Sequence, residues 1–497
     1  MRRRTCLHTS NMYVHDSVGR RWSSSPIPSR RGQSMQYQSI NPATASPGAE
    51  FALITNEALE ATVQQAADAF EVWRGTEVSV RSAMLRAVAA SLREDAGRLA
   101  SVIIAEMGKR VQEAFFEIQL CAQICDYYAD HAGQFLAPEQ VPGVEGALVL
   151  KEPIGPILAI EPWNFPFYQI FRVAAPQLAA GNVVIVKPSE LVPECAVEIA
   201  ALFDKHCDVK GVYTNIFASH HQIGELIADA RIRGVTFTSS TQAGAAIAEQ
   251  AGRNLKKVVL ELGGNDPMIV REDAPVEWAA QQALFGRLLN TGQCCVGTKR
   301  LIVVGKERAR IVEAALTRIF AKIPAGDPGD PETKLGPLAS ARAARTLKDQ
   351  VDRAIANGAR LVTGGNPIDR TGFYFEPTIL ADMAPDNPAY REEFFGPVLM
   401  LDAVASDDAA VSLVNATPFG LGASILSEDM EAAERMARRI ASGMVFINQA
   451  SRTQADLPFG GIGQSGFGRE LAEAGFGEFL NRKLVTAVPC GTPPLGA

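Results

Sequence analysis

Val258-Val259-Leu260-Glu261-Leu262-Gly263-Gly264-Asn265 is the stretch on which the fold turns. Its apolar start, 258–262, reads as a buried strand, and the two glycines then break it. Upstream, β-rich runs at 147–150, 156–160, 183–186, 212–217 and 235–238 precede it, the later ones separated by helical stretches near 193–206, 222–230 and 242–251. Downstream a second block carries runs at 301–304, 373–380, 398–403, 423–426 and 444–447, again with helices between. Strands separated by helices pair in parallel and need helices on their faces, so each block implies a twisted, mostly parallel sheet. The chain therefore reads as α/β with two lobes, and residues 262–265 lie near the crossing. No internal repeat or low-complexity linker divides them.

The bulk properties bound the partners. At 497 residues, with 47% hydrophobic and 21% charged residues, the chain has an ordinary globular composition and room for two or three domains. A formal net charge of −7 argues against nucleic acid or an anionic membrane as main partner. No apolar run reaches the roughly 18 residues that a membrane span needs. Eight cysteines without regular spacing suit neither a disulfide framework nor, lacking Cys-x-x-Cys or Cys/His clusters, a metal site. A reducing, cytoplasmic location is expected.

Residues 1–34 stand apart, with seven arginines, seven serines and one acid, Asp16. That composition fits a mitochondrial transit peptide, or a start codon placed too early with Met35 the true first residue. Either way a disordered extension is expected. From Asn56, apolar residues recur at helical spacing (Leu59, Val63, Ala66, Phe70, Trp73, then Met84, Leu85, Val88, Leu92, Leu99, Ile103). Gly108 reads as a stop before a third amphipathic run over 111–135.

Ligands of open parallel sheets sit beyond the carboxyl ends of strands, and several motifs fall there. Glu261 can deprotonate water if burial raises its pKa, and Gly263 and Gly264 permit close approach of a backbone or cofactor. Cys294 and Cys295 follow a glycine at the end of an apolar helical run. They read as a nucleophile in an electropositive setting, or as two small buried hydrophobes. Asn164, in a turn between prolines, offers the amide donor a developing oxyanion requires, or is simply a turn residue. Lys187 and Glu190 suit ribose hydroxyls, or form a solvated charge pair. Ser240 opens a helix and suits either a pyrophosphate or N-capping. No Gly-x-Gly-x-x-Gly fingerprint follows any of these strands. His220-His221 is the one pair that could partner a cysteine in a hydrolase, with a surface loop as the competing reading.

In chain order stand Pro162-Trp163-Asn164-Phe165-Pro166, Lys187-Pro188-Ser189-Glu190, Phe237-Thr238-Ser239-Ser240-Thr241 with Gly244, Glu261-Leu262-Gly263-Gly264 and Gly292-Gln293-Cys294-Cys295. Glu393-Phe394-Phe395-Gly396-Pro397, Pro458-Phe459-Gly460-Gly461 and Ser465-Gly466-Phe467-Gly468-Arg469-Glu470 complete the series. In this order the set resembles the NAD(P)-dependent aldehyde dehydrogenase family, from about residue 40 to 488.

The resemblance implies two Rossmann-like lobes with a small β oligomerisation extension. Cofactor binding would fall to 35–136 and 151–262, catalysis to 263–446, and oligomerisation to 137–150 and 470–490, in a homodimer or homotetramer. It makes Cys295 the nucleophile, Asn164 and the Cys295 backbone N–H the oxyanion donors, and Glu261 the general base. An aldehyde would pass through a cysteine thiohemiacetal and thioester to the acid. Trp163, Lys187, Glu190, Ser240, Glu393 and Phe395 would hold the cofactor. A carboxylate at Glu190 favours NAD, with NADP possible through Lys187.

The flavour is most like the succinate-semialdehyde dehydrogenase branch, with Arg172 matching its anchoring arginine. Leu289 stands where some members carry a second one, so Arg287, Ser451 and Arg452 are further candidates for the substrate carboxylate. Another aldehyde substrate, a CoA-acylating relative or a non-catalytic protein of the same fold are the alternatives. Two departures stand out: Ser239 where the family usually has glycine, and Gly463 where lysine is common.

Overall fold

Strands that are apolar along their whole length must be covered on both faces. Pro156–Ile160, Val183–Lys187 and Gly234–Thr238 are buried at every position and form the middle of the first sheet. The structure, a computed structural model, describes residues 37–384 and 386–493. The expected extension at 1–34 lies outside the described residues.

The first sheet runs Gly466–Phe467, Lys257–Glu261, Gly234–Thr238, Pro156–Ile160, Val183–Lys187, Tyr213–Asn215. All pairs are parallel except the short Gly466–Phe467 edge. The second runs Arg360–Thr363, Thr378–Ala381, Val398–Val404, Arg300–Val304, Pro267–Val270, Gly422–Leu426, Met444–Ile447 and is parallel but for Arg360–Thr363. Gly263 and Gly264 join the two sheets. A third sheet pairs Leu480–Thr486 with Ala147–Pro153 and that with Glu139–Gln140, all antiparallel.

Two strand expectations need correcting. Pro267–Val270, central in the second sheet, was not anticipated: it is four residues long and opens on proline, which a strand tolerates only at its first position or an edge. The run 373–380 contributes only Thr378–Ala381. Its first part is held by loop contacts, with the Phe373 N–H bonded to the Pro42 carbonyl at 2.9 Å and that of Leu338 to the Phe373 carbonyl at 2.8 Å.

The helices Asn56–Trp73, Val78–Glu94, Ala96–Met107 and Val111–Phe135 bury the apolar positions read from the sequence against the first sheet's core. Gly108, at φ +73°, ends the third of them in the left-handed conformation that suits glycine. None of the described helices is long and apolar enough to cross a membrane.

Glu117 on the fourth helix forms a fully buried ion pair with Lys109, which precedes that helix. The other oxygen of Glu117 accepts from the Phe167 and Tyr168 N–H groups, at 2.8 and 3.0 Å. It thereby caps the helix Tyr168–Ala180, whose start fixes the turn bearing Asn164. Replacing Glu117 by Ala strands a buried ammonium and uncaps the helix. We expect a loss of about 3–5 kcal/mol in urea unfolding; a loss under about 1 kcal/mol would contradict this account.

Candidate active site

Helix Val276–Leu288 delivers the chain to a sharp reversal. Asn290, Thr291 and Gly292 are all left-handed, at φ 54°, 55° and 76°, a conformation that costs non-glycine residues energy and persists only when neighbours impose it. Glu113 accepts from the Asn290 N–H at 3.0 Å. The Asn290 amide donates to the carbonyls of Asn164, at 2.7 Å, and Gln293, at 3.1 Å. Gln293 in turn accepts from the Ala339 N–H at 2.8 Å. The reversal turns the Cys294 side chain into the core, while Cys295 reaches a cavity.

That cavity, of about 280 Å³, lies where the two sheets meet. Asn164, Glu261 and Cys295 line it together with Trp163, Ser240, Glu393 and Phe395. The Asn164 amide is held in one orientation, because Gln169 donates to its oxygen at 3.2 Å and its nitrogen donates to the Gln293 carbonyl at 3.2 Å. One Asn164 N–H remains for an oxyanion. The Trp163 and Phe395 rings meet edge to face, 5.6 Å between centroids. Ser240 caps the helix Thr241–Arg253 by accepting from the Ala243 N–H. Lys187 and Glu190 stand apart at the end of Val183–Lys187, their charges 4.0 Å from each other, and burial lowers the Lys187 pKa.

The glycines allow the two sides to close. A side chain on Gly263 would begin 2.6 Å from a Glu393 carboxylate oxygen, and one on Gly264 would begin 2.7 Å from the Cys295 carbonyl. Lys299, which sequence reasoning passed over, binds both partners. Its fully buried ammonium donates to the Cys294 carbonyl at 2.8 Å, to the Cys295 carbonyl, and pairs with Glu393 at 2.8 Å. The available signal was Lys299-Arg300 opening an apolar strand, since two cations entering a core demand partners.

Buried charge dominates the electrostatics. Glu261 is buried, and neither of its carboxylate oxygens accepts a hydrogen bond from the described residues. Burial, then the nearby Glu470, push its pKa well above the usual carboxylate range, which a general base needs. In register beside it come Thr238 and, after Ile160, the buried Glu161, raised by the same two causes. The neighbouring thiols act on each other: Cys295 draws the Cys294 pKa down to about 7, and Cys294 holds that of Cys295 well up. Burial raises both thiols and Lys299 lowers both.

The substrate-anchor candidates are not brought to the cavity together. Arg172 is correctly placed in neither exposure nor charge: it is buried, ion-paired with Glu470, and bonded to the Thr238 hydroxyl at 3.1 Å. Arg287 is also buried and donates to the Gly292 carbonyl, so it braces the cysteine loop. Ser451 is buried, 3.3 Å from where a side chain on Gly422 would begin. Arg452 alone is exposed, with no ion pair to the described residues. Beside it, Thr453 bonds the Tyr168 hydroxyl at 2.6 Å, one residue from the cavity-lining Gln169. His220 and His221 are exposed at the start of helix His220–Ala228 and do not line the cavity, which removes the cysteine–histidine hydrolase reading.

The sequence model of the aldehyde dehydrogenase family matches residues 29–485. The chain belongs to the aldehyde dehydrogenase family. It is an NAD(P)-dependent oxidoreductase that converts an aldehyde to the acid. This aldehyde dehydrogenase is 43% identical to a succinate-semialdehyde dehydrogenase [NADP(+)] of Deinococcus radiodurans, over 92% of the chain and 96% of that protein. It is 40% identical to a succinate semialdehyde dehydrogenase [NAD(P)+] of Escherichia coli, over 90% and 97%. The crystal structure of succinic semialdehyde dehydrogenase from Streptococcus pyogenes in complex with NADP+ superimposes with a TM-score of 0.89 at 42% identity, covering 91% of this chain and 99% of that one.

Because folding raises the Glu161 pKa above its ordinary 4.5, its stability contribution is full below about pH 4.5 and is lost as pH rises through the folded value. Glu161→Gln, which never ionises, is therefore expected to gain in Tm over the parent as pH goes from about 5 to about 8. A Tm difference that stays constant across that range would contradict the raised pKa.

Proposed function

We propose that this enzyme oxidises succinate semialdehyde to the dicarboxylic acid with Cys295 as nucleophile. The observation that carries the reading is the convergence of Cys295, Asn164 and Glu261 on one cavity, in a chain whose similar relatives are named for that substrate. The Cys295 thiolate adds to the aldehyde carbon. The remaining Asn164 N–H and the Cys295 backbone N–H stabilise the resulting oxyanion. A nicotinamide held there would supply the acceptor for the hydride lost from the thiohemiacetal carbon, leaving a thioester on Cys295. Glu261 then takes a proton from water, which attacks the thioester and frees the acid. A buried base at that point favours hydrolysis over transfer to CoA.

Trp163, Ser240, Glu393 and Phe395, on the same cavity, with Lys187 and Glu190 beyond it, fit a nicotinamide dinucleotide. The missing side chain at Gly263 keeps the wall beside Glu393 open. The Glu190 side chain is 47% exposed and so free to turn away from a 2′-phosphate, while Lys187 remains to meet one. Together with relatives named for NADP(+), this supports use of both nucleotides rather than the NAD preference that Glu190 alone suggests. Arg452 is assigned the substrate carboxylate, and Arg172 the role of tempering the charge beneath Glu261.

The lobe containing 35–136 and 151–262 is assigned to cofactor binding and 263–446 to catalysis. The three-stranded sheet leaves Leu484 and Val485 exposed on an edge strand, which supports a homodimer or homotetramer built through it. The described thiols, mostly buried and unpaired, suit a cytoplasmic setting.

Absorbance at the nicotinamide band, across a panel of semialdehydes and neutral aldehydes with NAD and NADP run separately, tests the reading. Succinate semialdehyde should give the highest kcat/KM, and Cys295→Ala should reduce it to background. Arg452→Ala should raise KM about tenfold for the semialdehyde and leave neutral aldehydes unchanged, the loss expected for one charge-assisted contact. A neutral aldehyde preferred by the parent enzyme would overturn the substrate; equal KM effects would overturn the anchor.

A further inference from the structure

Among the described residues, Lys299 is the one buried ammonium that contacts both the cysteine loop and Glu393. Its ammonium donates to the Cys294 and Cys295 carbonyls and forms an ion pair with the Glu393 carboxylate. Its side chain has no exposure, so water does not screen this charge. The Glu393 side chain, 18% exposed, lines the same cavity as Cys295 and is within reach of a ligand. One cation thus faces two anionic claimants: a carboxylate ion-paired with it at 2.8 Å, and the sulfur of a residue whose backbone it already holds.

We propose that Lys299 is a positioning residue whose charge is divided between Glu393 and the cysteine loop, so that Glu393 restrains the nucleophile until a ribose engages it. Hydroxyl donors from a ribose satisfy the Glu393 carboxylate and weaken its hold on Lys299. The freed field then favours the thiolate of Cys295. The inference rests on the reading of Cys295 as nucleophile and Glu393 as a ribose ligand. Other groups bear on the same thiol. Cys294 and Arg172 face it, Glu261 shares its cavity, and Arg287 and Asp266 act on Cys294 beside it. None of these contacts both Glu393 and the Cys295 backbone, which is what gives Lys299 its distinct signature.

The signature is a pair of opposite effects. Alkylation of Cys295 by iodoacetamide is followed against pH in the full-length enzyme without nucleotide, with the modified residue identified by peptide mass spectrometry. Glu393→Gln should lower the midpoint by about one pH unit, making alkylation near neutrality about tenfold faster. Lys299→Met should raise the midpoint and slow alkylation by a similar factor, and the double variant should match Lys299→Met alone. Lys299→Arg, which keeps the charge, should stay near the parent and serves if Lys299→Met does not fold.

A purely structural role for Lys299 would move both single variants in the same direction. That result, or acceleration by Glu393→Gln when Lys299 is already Met, would overturn the proposal. By linkage, nucleotide affinity measured by fluorescence quenching should tighten as pH rises through the thiol midpoint in the parent and be flat in Lys299→Met. The function reading fails separately, by turnover that survives Cys295→Ala.

Discussion

At Gly263 and Gly264 the chain leaves one parallel sheet for the other, and two surfaces approach so closely that no side chain fits between them. A Cβ at the first would press on the Glu393 carboxylate and at the second on the Cys295 carbonyl. Everything about the site depends on this approach. It sets the thiol of one lobe beside the carboxylate that ends the last long strand of the other, and it lets Lys299 reach two partners at once. A side chain at Gly263 would displace the Glu393 carboxylate, and one at Gly264 would push on the Cys295 backbone, so either would disturb the charges gathered here.

The chemistry is then a matter of how buried charge is shared. Three carboxyls, Glu161, Glu261 and Glu470, surround one guanidinium, that of Arg172. Arg172 is committed to Glu470, which leaves Glu261 raised and Glu161 raised with it. Such an arrangement costs stability, since a buried polar cluster with unequal charge is held against its desolvation penalty. The return is a carboxyl held well above the usual carboxylate range, as a proton acceptor in catalysis requires. On the other side of the cavity the strained turn 290–292 is held by Glu113, Asn290 and Gln293, so that the Cys295 loop does not depend on a ligand to be placed.

Much of this was legible in the sequence. The long apolar strands and the helix runs over 111–135 and 193–206 came through because buried parallel strands and amphipathic helices impose their own periods. Of the residues gathered on the cavity, Asn164, Ser240 and Glu261 were legible at strand ends and Cys295 after a helical run, while Trp163, Glu393 and Phe395 came only through the family resemblance. Pro267–Val270 was hidden because four residues opening on proline carry no period. Lys299 was hidden because a buried lysine announces itself only through partners distant in sequence. Arg172 misled for the same reason: its partner Glu470 lies far along the chain, and no spacing shows that the ion pair is already made. Charge pairing across long sequence separations is what a single sequence conceals.

The central claim is that one sulfur, Cys295, forms the acyl enzyme and one carboxyl, Glu261, releases it. The most direct measurement traps that species. Glu261→Gln is mixed with succinate semialdehyde and nucleotide, quenched in acid after a single turnover, digested, and read by mass spectrometry. The account predicts a stoichiometric burst of reduced nucleotide with a succinyl group on the peptide at Cys295. Rapid steady turnover without an adduct, or an acyl group found on Cys294 instead, would contradict it.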